Sequence, residues 1–389
     1  RRPPRRRLTI GVSGLEAGLG DWLDGHIDRE ATAGVVDELS LESMRSLVGV
    51  LGDPQDAYPV IHVTGTNGKG STAAMAAALL RAHGLSVGRY ASPHLETLNE
   101  RLEWDGRPVD DDALTDLLER LRAVEGLLDH RPSWFELVTA AAYSWFADLG
   151  VDVAVVEVGL LGRFDATNVA DATVAVVTNV GRDHTDRGPG WERAVAEEKA
   201  GIVNPGAHLV LGTRSPDLEA PFLAEGPGEV WRRDVDFGCD VNRLAVGGRL
   251  VDLRTPLTRV DEIFVPAHGE HQGENAAAAL AAVDAFFGRP GTEEVIEEGF
   301  GQVTLPGRFE LVDRDPLVVL DGAHNPDGIE VFVTTLVEVS SGGDLVVVYG
   351  QLAGRDPDEM LAALARAGPD RVVLCPAPSP RAVPVPELA

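Results

Sequence analysis

The stretch Val60-Ile61-His62-Val63-Thr64-Gly65-Thr66-Asn67-Gly68-Lys69-Gly70-Ser71-Thr72 decides the fold. A short β-branched run feeds a glycine-rich turn, and the alanine-rich segment from Ala73 to His83 reads as a helix. Glycines let such a turn fold tightly with its N–H groups facing inward, and the helix N-terminus adds partial positive charge. Lys69 supplies a full charge, and a hydroxyl from Ser71 or Thr72 can reach a metal ion. Together these features predict a cradle for a polyphosphate. The spacing differs from the commonest phosphate loop: Val63 stands at the expected first glycine, and Gly70 separates Lys69 from Ser71.

Outward from that loop the chain alternates strand and helix. Residues 8–59 read as largely helical, with Leu39, Leu41, Met44, Leu47 and Val48 spaced as an apolar face. Ser86–Tyr90 reads as a second strand, stopped by Pro93 in Ala91-Ser92-Pro93-His94-Leu95. Asp110–Leu128 and Phe135–Leu149 read as helices, the latter with Ser133 as N-cap and Glu136 completing a capping box. Val151–Val158 and Thr173–Val180 are nearly all apolar, as buried parallel strands are, and polar residues follow each: Glu157 at one, Asn179 to His184 at the other. Open α/β sheets bind ligands at that edge. The stretch from about 210 to 265 reads as strand and turn, with Gly247-Gly248 as a hairpin turn. His268 and His271, three apart, read as a polar start to the helix Ala276–Phe287 rather than as a metal pair. Gly288-Arg289-Pro290-Gly291 reads as a linker, and strand–helix alternation resumes beyond it.

Composition narrows the function. The chain of 389 residues has a formal charge of −28, and residues 8–389 carry 29 basic against 62 acidic side chains. So acidic a body argues against nucleic acid, whose phosphates need clustered Lys and Arg. The opening Arg1-Arg2-Pro3-Pro4-Arg5-Arg6-Arg7 lacks the apolar core of a signal peptide and reads as a disordered tail, and no apolar run is long enough to span a bilayer. Cys239 and Cys375 lie far apart and form no metal-ligand spacing, which fits a cytoplasmic protein. Of 34 basic residues only Lys69 and Lys199 are lysine. Where a generic cation would do, this chain uses arginine, so the two lysines either mark positions where arginine does not substitute or survive by chance, and their sequence contexts decide between these.

In order, the motifs are GTNGKGS (65–71), SPHL (92–95), ER (100–101), VEVGLLGRFDATN (156–168) and TNVGRDHT (178–185). They continue with EKAGI (198–202), GEHQGEN (269–275), PGRFE (306–310) and LDGAHNP (320–326). The series resembles the Mur ligase superfamily and, within it, the folylpolyglutamate synthase/dihydrofolate synthase family, from about residue 36 to 385. The resemblance implies an α/β protein: a P-loop-containing parallel-sheet ATPase domain followed by a smaller Rossmann-like α/β domain. The expected segments are a tail and lead-in at 1–35, the ATP-binding domain at 36–288, and a C-terminal domain at 289–389. That last domain ends some tens of residues before family members usually do.

The resemblance also implies a reaction: ATP-driven addition of L-glutamate to dihydropteroate or to reduced folates through an acyl phosphate. In the family the phosphates are held at positions matching Gly65, Thr66, Asn67, Gly68, Lys69, Gly70 and Ser71. Nucleotide contacts match Asn275, Arg308 and Asp321, and His324 lies beside the reacting groups. Magnesium ligands match Ser92, Glu157 and His184, with Ser71 near the phosphates, and a carbamylated Lys199 supports a second magnesium. Lys69, Lys199, Asp321 and His324 are the implied catalytic set. Pterin-side contacts match Phe135, Phe164, Asp165 and Ala166, with Leu39 and Ser40 nearby. The implied cofactors are ATP and Mg2+, and the implied partners are small substrates bound by a cytoplasmic monomer. Departures are Leu161 in place of a glycine, Arg182 in place of a small or apolar residue, and Gly354-Arg355-Asp356 in place of Asp-Lys-Asp. The competing readings are another Mur-type amino-acid ligase acting on peptidoglycan precursors and a P-loop NTPase switch.

Overall fold

The computed structural model describes residues 17–28, 40–181, 188, 190–340, 342–377, 379 and 381–389. Its centre is an eight-stranded sheet in the order β4-β3-β2-β5-β1-β6-β7-β8. The strands are β1 (Val60–Thr64), β2 (Val87–Tyr90), β3 (Leu102–Trp104), β4 (Arg107–Pro108), β5 (Val153–Glu157), β6 (Ala172–Val177), β7 (His208–Leu211) and β8 (Glu229–Arg232). Six of them run parallel, and only β3 and β4 pair antiparallel at one edge. β1 is buried along its whole length between β5 and β6, with Val63 opposite Glu157 and Thr64 opposite Val177. A strand covered on both faces needs apolar side chains throughout, which is why 60–64, 153–157 and 172–177 read as continuous apolar runs.

Successive β1 residues point to opposite faces. Ile61 and Val63 join a core with Val153, Val155, Val174 and Val176, closed by the helices Lys69–Ala82 and His271–Phe287. Alanines dominate both helices, and small side chains let helix and sheet backbones approach closely. Val60 faces a second core with Ala154 and Val156, built against Trp134–Leu149. Ser133 caps that helix as expected: its Oγ accepts from Glu136 N at 3.3 Å, and the Glu136 carboxylate accepts from Ser133 N at 2.6 Å. Leu19 and Leu23 of Ala17–Asp24 are buried in this core too, so part of the expected lead-in is packed structure. The arginine-rich opening and Leu39 lie outside the described residues.

Several boundaries differ from the sequence reading. The helix after the phosphate loop begins at Lys69, because Gly68 in the left-handed region (φ +84°) turns the chain into it. β5 and β6 stop at Glu157 and Val177, before the apolar runs end. The 210–265 stretch holds a short helix, Glu219–Ala224, ahead of the antiparallel meander β9 (Gly238–Ala245), β10 (Gly248–Arg254) and β11 (Arg259–Val265). Beyond Gly288, Ile296 and Phe300 of the helix Glu293–Gly301 are buried in the first core. A division at 288/289 would cut that core, so we propose the domain division near Leu305.

The remainder is α/β in two strand pairs. β12 (Glu310–Arg314) and β13 (Leu317–Leu320) form an antiparallel hairpin, and β14 (Val346–Tyr349) runs parallel to β15 (Arg371–Leu374). The helices Pro326–Val339 and Pro357–Ala365 bury Ile329, Val333, Met360 and Leu364 together. Among the described residues no helix is long and apolar enough to cross a membrane.

Candidate active site

The phosphate loop is held from outside its own sequence. Asn179, just past β6, accepts from Thr66 N at 3.1 Å and Asn67 N at 3.0 Å, and its amide donates to Asn67 O at 3.0 Å. Thr178 Oγ1 donates to the same carbonyl at 2.6 Å, and Thr66 Oγ1 donates to Gly181 O at 3.1 Å. Neighbours this close explain two glycines. A Cβ at Gly65 would lie 1.8 Å from Thr178 Oγ1, and one at Gly68 would lie 2.4 Å from Asn275 Oδ1. Lys69 Nζ donates to Gly65 O at 2.9 Å and Thr66 O at 3.3 Å, so its ammonium is folded over the loop. Thr72 Oγ1 turns to Asn275 Oδ1 at 3.5 Å, which leaves Ser71 as the hydroxyl nearer a metal.

Glu157 ends β5 beside this loop, 4 % exposed, and accepts from Ser92 N at 3.2 Å. Burial pushes its carboxyl above the ordinary range, and the charges of Lys69 and then Arg308 pull against that. A buried carboxylate facing two cations across a phosphate loop suits a hard cation with oxygen ligands. A Cβ at Gly70 would come within 3.3 Å of the Glu157 carboxylate, so bare backbone keeps that side open. Glu157, Ser71 and Ser92 therefore fit magnesium, which completes its shell with water and phosphate oxygens. Among the described residues no three His, Cys, Asp or Glu side chains gather as a metal cluster. His184, the remaining expected ligand, lies outside the described residues, as do Arg182 and Asp183. His271 opens its helix, and burial pushes its imidazole down to about 4.

Lys199 sits in the last turn of Trp191–Ala200 and is 2 % exposed. That turn is tied to the segment after β5: Arg163 N donates to Glu198 O at 2.8 Å, and Asn168 Nδ2 donates to Gly201 O at 2.9 Å. The segment carries the expected pterin-side residues. Phe164 is 39 % exposed and Ala166 is buried, while Phe135 packs near the Tyr90 ring at 6.0 Å. Asp165 turns inward, accepting from Leu160 N at 2.7 Å and Thr167 N at 3.0 Å, so it organises the loop. Leu161, where the family pattern has glycine, adopts φ +60°. Ser40 is exposed, and its Oγ accepts from Glu42 N at 3.1 Å.

From the other side come Arg308, Asp321 and His324. Asp321 accepts from Phe309 N at 2.8 Å and Ala323 N at 2.7 Å, and its carboxyl is pushed up by burial against those donors and Arg308. His324 Nδ1 lies 2.9 Å from Gly322 O. Asn325 was not among the expected site residues, yet it meets the phosphate loop directly: its Nδ2 donates to Asn67 Oδ1 at 2.9 Å, and its Oδ1 caps Pro326–Val339 through Gly328 N at 2.7 Å. Arg249 makes a second tie, from the meander to Glu338 Oε1 at 2.5 Å. Asn179 and Asn325 lie inside the motifs TNVGRDHT and LDGAHNP, but the sequence assigns neither a role, whereas the structure has both on the phosphate loop. Asn179 stands two residues past β6 and Asn325 directly before the helix-starting Pro326, places that ordinary turn and capping asparagines share.

Family models for the Mur ligase middle domain and the Mur ligase glutamate ligase domain match residues 136–283 and 307–389. The dihydrofolate synthase/folylpolyglutamate synthase of Mycobacterium tuberculosis is 39% identical over 374 residues, covering 90% of this chain and 77% of that protein. The folylpolyglutamate synthase of Lacticaseibacillus casei is 37% identical over 351 residues, covering 87% of this chain and 82% of that protein. Among solved structures, M. tuberculosis folylpolyglutamate synthase complexed with ADP superposes with a TM-score of 0.89 at 38% identity, covering 95% of this chain and 84% of that one. An FPGS–AMPPCP–folate complex superposes with a TM-score of 0.79 at 30% identity, covering 92% of this chain and 95% of that one. With its phosphate loop, its strand-end carboxylate and these relatives, the chain belongs to the folylpolyglutamate synthase/dihydrofolate synthase family of the Mur ligase superfamily.

Proposed function

We propose that this chain is an ATP- and magnesium-dependent ligase that joins L-glutamate to dihydropteroate or a reduced folate through an amide bond. The observation carrying it is that the strand-end Glu157 carboxylate lies against the phosphate loop at Gly70 while Asn325 of the C-terminal unit donates to Asn67 of the same loop at 2.9 Å. The acceptor's carboxylate oxygen attacks the γ-phosphorus of ATP, the bond to the β,γ-bridging oxygen breaks, and an acyl phosphate and ADP result. The glutamate amine then attacks the acyl carbon through a tetrahedral intermediate, loses a proton, and expels phosphate.

In that scheme the N–H groups of Gly68 to Ser71, at the start of the Lys69 helix, and the Lys69 ammonium neutralise phosphate charge, the main demand of phosphoryl transfer. Asn275, Arg308 and Asp321 hold the nucleotide, and His324 faces the reacting groups. Ser71, Ser92, Glu157 and His184 would hold magnesium, which supplies charge neutralisation on the phosphates. Lys199 as a carbamate would offer anionic oxygens to a second ion. Phe135, Phe164, Ala166 and Ser40 border the pterin, with Asp165 shaping that side. The acidic composition supports small-molecule substrates over nucleic acid, and two cysteines with no metal-ligand spacing fit a reducing cytoplasm.

ADP release by the full chain is the test. It should require magnesium and L-glutamate and rise sharply with dihydropteroate or a reduced folate. Equal release without any acceptor would favour a nucleotide switch and overturn the ligase.

A further inference from the structure

We infer that His62, acting with Thr64, is a positioning residue that clamps the acceptor-side segment 161–167 to the strand feeding the phosphate loop. The inference rests on the ligase reading above for what that segment binds. His62 and Thr64 alternate with Ile61 and Val63, so they share one face of β1, and both are wholly buried. Each grips one end of the segment. Thr64 Oγ1 donates to Leu161 O at 2.6 Å, and His62 Nε2 meets Thr167 Oγ1 at 2.9 Å.

The direction of the second bond follows from its neighbours. The Thr167 hydroxyl donates to Asp165 Oδ1 at 2.5 Å, so toward His62 it has only lone pairs to offer. His62 Nε2 therefore carries the proton, and the relay runs His62 Nε2–H to Thr167 Oγ1–H to Asp165. Asp165 in turn accepts from Leu160 N, and Tyr143 OH donates to Thr167 O at 2.7 Å, which fixes the far end. Burial pushes the His62 imidazole down to about 3, so it stays neutral at every working pH.

This arrangement is costly as packing alone. His62 Nδ1 is buried with no hydrogen-bond partner among the described residues, a penalty that an aliphatic side chain would avoid. The flanking strands have alanine and valine opposite His62, at Val156 and Ala175. Leu161, gripped at its carbonyl, sits in the left-handed region that side chains rarely adopt. A polar residue with an orphaned nitrogen in the central strand is explained by the one bond its other nitrogen makes. The same strand then sets the distance between the phosphates and the acceptor.

Full-length His62→Phe keeps a planar ring without the donor, and His62→Gln keeps a donor at the same reach. His62→Phe should raise KM for the acceptor by about tenfold, the scale of one lost buried hydrogen bond, with KM for ATP within about twofold. His62→Gln should recover most of the loss. Thr167→Val, which removes the bond from its other end, should reproduce the Phe variant if that variant folds poorly. Amide hydrogen exchange on the nucleotide-free enzyme should accelerate across 160–168 and stay unchanged across 69–82. Unaltered acceptor KM and exchange, or ATP and acceptor KM rising together, would overturn the clamp. Acceptor-independent turnover by the unmodified enzyme would instead overturn the ligase reading, and the exchange result would still decide the clamp.

Discussion

Lys199→Arg is expected to lower acceptor-dependent ADP release by about a hundredfold or more, on the order of the loss of a metal-bridging ligand. Thirty-two arginines serve this chain elsewhere, and Lys199 is nevertheless a lysine, 2 % exposed, in a turn bonded to the acceptor-side loop. An unprotonated lysine amine adds carbon dioxide to give a carbamate and a released proton. Guanidinium stays protonated and cannot do this. Lys199→Ala should be as impaired and should regain part of its rate with a short carboxylic acid in the vacated space. Depleting bicarbonate should slow the unmodified enzyme, and adding it back should restore the rate. Near-normal turnover by Lys199→Arg would eliminate the carbamate and leave Lys199 a buried structural cation.

What the sequence discloses and what it hides divide along the distance over which each feature is determined. The phosphate loop is local, as is the capping box at Ser133 and Glu136, where two side chains three residues apart satisfy each other's backbone. Both are legible in a few consecutive residues. The strand-end position of Glu157 is legible too, because an unbroken apolar run announces a buried parallel strand and the residue closing it lies at the ligand edge. Asn179 and Asn325 are illegible, since their amides act on Asn67 across 112 and 258 residues, and nothing local distinguishes them from turn asparagines. The helix Glu293–Gly301 misleads in the opposite sense. A Gly-Arg-Pro-Gly run reads as a linker, but Ile296 and Phe300 return the chain to the first core.

Leu161 is an intermediate case. Its departure from glycine is visible in the sequence, but its consequence is not. The residue accepts the left-handed conformation all the same, with its carbonyl bound by Thr64 from the neighbouring strand. Side-chain hydrogen bonds to backbone from a distant element override local preference here. The reciprocal contact of Asn325 and Asn67 has a related meaning. The capping residue of a C-terminal helix is also a phosphate-loop contact, so nucleotide binding and the position of that helix are linked through one side chain.

Glu157→Gln should abolish most ligation, on the order of a hundredfold or more, while making the ligand-free protein more heat-resistant at neutral pH. Both effects have the same origin. Glu157 is 4 % exposed, and burial raises its carboxyl above the ordinary 4.5 despite Lys69 and Arg308. A carboxyl whose folded value is raised binds its proton more tightly in the folded state. Its stabilising contribution is therefore present below 4.5 and is lost as pH rises through the raised value. Glutamine has no such loss and still offers an oxygen to Ser92 N. The melting-temperature advantage of Glu157→Gln should be widest above the raised value and should narrow as pH falls through it toward 4.5. Magnesium with a nonhydrolysable ATP analogue should reverse the order, because ligand binding stabilises the carboxylate form and the amide gains little from the ion. A buried anion held at a cost to stability is what a cation site requires before its ligand arrives. Glu157→Gln melting below the unmodified protein at pH 8 without ligand, or turning over normally with magnesium, would show that the carboxylate serves structure rather than the metal.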